Sequence, residues 1–119
     1  MPITFYAYPK CGTCRKAKKW FEQNDVEVNE IHIVENPPSK DELATMVNQS
    51  GLPIKKFFNT SGQKYRELGL KDKVASSSQD ELLDILSSDG MLIKRPLVTD
   101  GENVTVGFKE DVFEEMWKR

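Results

Sequence analysis

Cysteine is scarce in this chain: among 119 residues there are two, Cys11 and Cys14. Too few are present for the disulfide framework that staples small extracellular domains. Histidine is scarcer still, with His32 alone. Two cysteines and one histidine fall one short of the four usual ligands of a structural zinc site. A net excess of charge is missing too. Lys and Arg number 17, Asp and Glu 19, and the formal balance is −2. No overall basic field would hold a phosphate backbone, so direct nucleic-acid binding is not expected. No apolar run approaches membrane-spanning length, and no membrane association is expected. Met1-Pro2-Ile3-Thr4-Phe5 lacks the basic-then-apolar order of a secretory leader, so the expected location is cytoplasmic. No repeat, low-complexity tract or linker interrupts the chain. Its length suits one domain, and a monomer is expected.

What is present is patterned. Ile3 to Tyr8 is β-branched and aromatic and reads as a strand broken by Pro9-Lys10. From Gly12 to Asn24, Ala17, Trp20 and Phe21 recur at helical spacing. Val28 to Val34 reads as a second strand, and its imperfect alternation points to a largely buried one. Strand, helix and strand of these lengths make a βαβ unit with parallel strands. Ser39-Lys40-Asp41-Glu42 and Ser78-Gln79-Asp80-Glu81 are capping boxes opening two helices, with Gly51 and Gly90 as their stops. Short helices are expected over 53–58 and 63–68. Leu97-Val98-Thr99 and Val104-Thr105-Val106 form a hairpin around Asp100-Gly101. Lys109 to Trp117 is a last amphipathic helix burying Val112, Phe113, Met116 and Trp117. The order βαβ, helices, ββα predicts an α/β fold: a four-stranded mixed sheet with a helical insertion. Residues 1–119 form one domain, with a core of 1–38 and 91–119 and an insertion of 39–90.

The two cysteines stand where the first strand meets the first helix, as Cys11-Gly12-Thr13-Cys14. A helix start offers unpaired amides and about half a positive charge, both of which favour a thiolate. Lys10, Arg15 and Lys16 add positive potential. Thr13 is placed to cap the helix or to donate to the thiolate, and Tyr8 and Pro9 to wall the site. Cys11 is the expected nucleophile and Cys14 the resolver of a mixed disulfide. Half of a zinc site with His32, or two structural cysteines, are the competing readings. A C-x-x-C beside a βαβ unit reads as a thioredoxin-like redox motif.

Three segments together resemble the arsenate reductase/Spx family of thioredoxin-like proteins, closest to its YusI-type branch. They are Tyr8-Pro9-Lys10-Cys11-Gly12-Thr13-Cys14-Arg15-Lys16, Glu35-Asn36-Pro37-Pro38-Ser39 and Ile93-Lys94-Arg95-Pro96-Leu97-Val98. The resemblance implies a thioredoxin-like fold interrupted by helices. It implies a cis peptide bond into Pro96, which would leave the backbone there open to substrate, as would Gly12 and Thr13. It also implies a catalytic role for Arg95, whose forked donors would face a thiolate or oxyanion.

The departures matter as much. Family members that reduce arsenate have one nucleophilic cysteine followed by Gly-Thr-Ser, an external thiol, and three arginines around the oxyanion. Here Cys14 takes the serine position, Asn59 stands where one arginine is expected, and Val106-Gly107-Phe108 supplies none. Arg95 alone remains, so efficient arsenate reduction is not expected. The expected activity is a thiol–disulfide oxidoreductase acting on a thiol or disulfide substrate, protein substrates included. It needs no bound cofactor and draws electrons from an external thiol or a thioredoxin-type protein. Spx-type members keep a C-x-x-C and bind the RNA polymerase α subunit as redox-sensing regulators, which is the alternative. Their contact uses a glycine-bearing turn in the inserted helices; Gly51 lies in such a turn, but Gly51 to Lys56 does not closely match.

Overall fold

In the computed structural model, which describes residues 2–118, the sheet is built around its first strand. Strand β1 (Ile3–Ala7) pairs in parallel with β2 (Val28–His32) on one side. On the other it pairs antiparallel with β3 (Leu97–Thr99), which pairs antiparallel with β4 (Val104–Val106). The order is β2-β1-β3-β4, the mixed four-stranded sheet expected from the pattern.

Alternation along β1 divides the core. Ile3, Phe5 and Ala7 face α1 (Gly12–Gln23) and α6 (Glu110–Met116), meeting Cys14, Ala17, Trp20, Phe21, Phe113 and Trp117. Tyr6 faces the opposite way with Leu97 and Val104, against the helices of the middle block. These are α2 (Lys40–Ser50), α3 (Gln63–Glu67), α4 (Leu70–Ser76) and α5 (Gln79–Ser88), with a 3-10 turn at Ile54–Phe57. Each fully buried Phe or Leu on either face stabilises the fold by roughly 1.5–3 kcal/mol.

Several elements depart from the sequence reading. Strand β2 is a sheet edge rather than a largely buried strand; Asn29 and Glu30 are exposed and only Ile33, just past its end, is fully buried. Helix α4 follows Gly69, whose φ of 60° breaks it from α3. Its apolar signal, Leu70 and Val74, was too short to read as a helix. The box at Ser39 is complete, with Ser39 Oγ accepting from Glu42 N and Glu42 Oε1 from Ser39 N. At Ser78 the glutamate instead accepts from the serine hydroxyl, so only one backbone amide is capped. Val112 and Met116 are half-buried; Phe113 and Trp117 carry the buried face of α6. Trp117 Nε1 donates to Thr105 Oγ1 at 3.0 Å.

Gly90 acts differently from a helix stop. Helix α5 ends at Ser88, and Asp89 Oδ1 accepts from Met91 N to start a 3-10 turn. A Cβ at Gly90 would lie 2.1 Å from the Ile33 carbonyl oxygen. Only glycine lets the end of the helical block meet the end of β2 this closely. Gly90→Ala is therefore expected to cost about 2–3 kcal/mol or more, because the obstacle is backbone and cannot move aside. Urea unfolding should show the midpoint falling; an unchanged midpoint would mean that the two segments separate freely.

Candidate active site at the first helix terminus

Cys11 is itself the N-cap of α1. It adopts an extended conformation, φ −91° and ψ 117°, and its Sγ accepts from Cys14 N at 3.4 Å. The cap expected of Thr13 thus falls to the cysteine; Thr13 is exposed and lines the cavity beside it. Cys11 N donates to the Tyr8 carbonyl at 3.0 Å, closing the turn between strand and helix. Both thiols are free. Cys11 is half-buried, whereas Cys14 is 2% exposed and packs with Ala7 and Ala17 under the sheet.

This difference separates the two sulfurs chemically. Burial alone raises the Cys11 thiol. The hydrogen bonds from the Cys14 side chain and amide, with the positive Arg95, outweigh it and hold Cys11 below the ordinary thiol range. Burial pushes Cys14 up to about 12, and donation to Cys11 together with the Cys11 charge acts in the same direction.

Arg95 lies just before β3, and its peptide bond to Pro96 is cis, as the resemblance implied. Its Nη1 donates to the Met91 carbonyl at 3.3 Å, and its guanidinium carbon sits 5.3 Å above the Tyr8 ring. A cation over an aromatic face is held by about 0.5–2 kcal/mol. Tyr8 in turn meets His32 edge-on at 5.6 Å. Arg95 Nε is buried with no hydrogen-bond partner among the described residues. Leaving such a donor unpaired costs about 1–3 kcal/mol, which keeping the cation beside Cys11 entails.

The other motif residues divide. Gly12 is the first residue of α1, adjacent to Cys11 and exposed. Pro96 is buried behind Arg95, and its carbonyl accepts from Gly107 N at 2.9 Å. Neither Gly12 nor Pro96 lines the cavity. Arg15 does not aim at the thiolate: its Nη1 donates to the Pro9 carbonyl at 3.1 Å and braces the turn. His32 Nδ1 accepts from Val34 N and Glu35 N, so this nitrogen serves a turn after β2.

A cavity of about 540 Å3 opens beside Cys11. The helical block contributes Asn59, Ser61 and Gly62 to its wall, and the β3 and β4 side contributes Lys94, Arg95, Val106, Gly107, Phe108 and Lys109. Asn59 and the 106–108 segment thus do border the site, without arginines. Lys94 and Lys109 supply positive charge that the sequence reading missed. Lys94 stood within a quoted motif and Lys109 at a helix start, yet only the fold brings them to one cavity. A thiolate at a helix terminus, facing a polar and cation-lined space, can attack a sulfur or receive an anionic group.

The electrostatics predict the alkylation profile. The rate at Cys11 should rise through a midpoint below the free-thiol value of about 8.5, while Cys14 stays unreactive across the neutral range. Arg95→Gln should move the Cys11 midpoint upward, because a positive charge favouring the thiolate is lost. Iodoacetamide kinetics from pH 5 to 10, with the sites assigned by mass spectrometry, check both. A midpoint unmoved by Arg95→Gln would assign the tuning to the helix terminus alone.

The ArsC family model matches residues 6–116. The uncharacterized protein YusI of Bacillus subtilis is 69% identical over 98% of this chain and 99% of its own length. The global transcriptional regulator Spx of Streptococcus mutans is 29% identical over 92% of this chain and 78% of its own length. A crystal structure of an ArsC family related protein from Bacteroides fragilis superimposes with a TM-score of 0.93, at 44% identity, covering 97% of each chain. A family match spanning residues 6–116 shows that the chain belongs to the ArsC family.

Proposed function

We propose that this protein is a thiol–disulfide oxidoreductase in which Cys11 attacks and Cys14 resolves. The observation that carries the reading is the opposed setting of the two sulfurs: one capped, half-exposed and beside Arg95, the other buried and held protonated. The Cys11 thiolate attacks one sulfur of a substrate disulfide, forming a mixed disulfide and releasing the other sulfur as a thiolate, which takes a proton from water. Cys11 then carries no charge, and its sulfur no longer draws on the Cys14 proton. Two influences that hold Cys14 protonated disappear, while Arg95 continues to favour a thiolate there. Cys14 loses its proton, attacks Cys11 Sγ, and expels the second substrate sulfur, which is protonated in turn. Two electrons pass to the substrate, and the Cys11–Cys14 pair is left as a disulfide. An external thiol or a thioredoxin-type protein returns it to the dithiol. The cytoplasm, where thiols are kept reduced, suits that cycle.

A second reading takes its support from the relative named as the regulator Spx. It assigns the cysteine pair to redox sensing and gives the chain the RNA polymerase α subunit as partner. Under the oxidoreductase reading, the α C-terminal domain should be captured by neither the oxidised nor the reduced protein. Capture in one state only would favour the regulator. Arsenate turnover is expected to be weak, because Asn59 and the 106–108 segment offer no bidentate arginine contact to an oxyanion.

The order of attack is open to trapping. Incubated with an aromatic disulfide near neutral pH, Cys14→Ser should accumulate a stable mixed disulfide on Cys11, seen as one adduct by intact mass. Cys11→Ser should form none on the same timescale. An adduct that forms faster on Cys14 than on Cys11 would reverse the proposed roles.

A further inference from the structure

A second cavity, about 520 Å3, continues from the first and shares Lys94, Val106, Gly107 and Lys109 with it. Its floor is the edge of β4, the last strand of the sheet. Gly107 N donates to the Pro96 carbonyl and Asp100 N to the Asn103 carbonyl. With the β3–β4 register, this makes Val98 and Thr105 the hydrogen-bonded pair between them. The amides and carbonyls of Val104 and Val106 therefore point away from β3, along the open edge. One bank of the groove is Leu52 and Lys56, and the other is Val112 and Met116 of α6. Leu52 is among the few large apolar side chains left exposed, at 38%. Lys56, Lys94 and Lys109 are the charged residues of the lining, which contains no carboxylate. None of the three is in an ion pair among the described residues.

We propose that this groove docks an extended acidic segment of a partner protein, added as a strand to β4, and so presents that segment's disulfide to Cys11. Strand addition uses main-chain hydrogen bonds for affinity and alternate side chains for specificity. The outward groups of Val104 and Val106 supply the first. Apolar contacts on Leu52 and Met116, with acidic side chains toward the three lysines, supply the second. Charge decides the occupant. A second copy pairing through the same edge would bring the groove lysines of both copies together, and that like-charge juxtaposition opposes the pairing. An acidic segment is attracted instead, in a chain whose overall charge of −2 would otherwise repel it. The delivery of a disulfide to Cys11 rests on the redox reading above; the docking itself does not.

Two measurements separate these parts. The probes are a ten-residue peptide alternating Glu and Val, its single terminal cysteine disulfide-linked to cysteamine, and the same peptide with Lys for Glu. A small neutral disulfide, hydroxyethyl disulfide, is the third. In single turnovers of the pre-reduced protein, the acidic peptide should half-saturate at a concentration about tenfold lower than the basic one. Lys56→Glu and Leu52→Asp change exposed residues and should erase most of that preference, with hydroxyethyl disulfide reduced at an unchanged rate. In parallel, the acidic peptide with serine for cysteine should slow amide exchange at Val104 and Val106 by NMR. Equal half-saturation for both peptides, or no protection at those amides, would overturn the docking proposal. Should all three disulfides go unreduced while the amides are protected, the redox reading fails and the docking stands. Protection without peptide, accompanied by a dimer in sedimentation, would assign the edge to a second copy and overturn the proposal.

Discussion

The first turn of α1 needs an acceptor for its unpaired amides, and the acceptor it has is a sulfur. That single cap organises the site. It fixes Cys11 at the helix terminus, where the positive end of the helix and the Cys14 amide both favour a thiolate. The same helix buries Cys14 one turn further on, because residue 14 shares the face of Ala17 and Phe21 that packs on β1. Two identical side chains thus acquire opposite shifts in acid strength, because the helix caps one sulfur and buries the other. Arg95, held over Tyr8 and against the Met91 carbonyl, adds a positive charge that favours the thiolate at Cys11.

The middle helices have two tasks. They cover the face of the sheet opposite α1, burying Tyr6, Leu97 and Val104. They also bring chemistry to the cysteine: Asn59 to Gly62 form one wall of the cavity, and the turn after α5 provides the carbonyl that anchors Arg95. Gly90 locks that turn onto the end of β2, so the position of Arg95 depends on a contact between main chains. Near-neutral overall charge conceals this arrangement. Lys94, Arg95 and Lys109 converge on one side of Cys11, while much of the negative charge lies on helix surfaces elsewhere.

Sequence pattern carried the fold a long way, for physical reasons. The β-branched and aromatic run of β1, the Ala17-Trp20-Phe21 stripe and the Asp100-Gly101 turn are local signals, and each became the expected element. The Asp100 carboxylate even takes the amides of Glu102 and Asn103, which explains a charged residue so well buried in the turn. Signals that depend on distant packing were harder to read. Nothing in Val28 to Val34 says which strand lies at the edge. Two apolar residues in α4 are too few to show a period. At the site, Cys11, Cys14 and Arg95 were legible from motif and resemblance. Arg15 read as a tuning charge but braces Pro9 instead. Lys94 and Lys109 were invisible as site residues because the wall they share is assembled from segments that meet only after folding.

A thiolate favoured in the reduced protein makes the dithiol easier to form from its disulfide, so the setting of Cys11 bears directly on redox poise. The most direct test of the account is the reduction potential of the Cys11–Cys14 pair, measured by equilibration with glutathione buffers at pH 7. The account predicts a reversible two-electron couple more oxidising than thioredoxin, between about −270 and about −120 mV. A potential below about −300 mV, typical of structural disulfides, or no disulfide between these two residues at any poise, would contradict it.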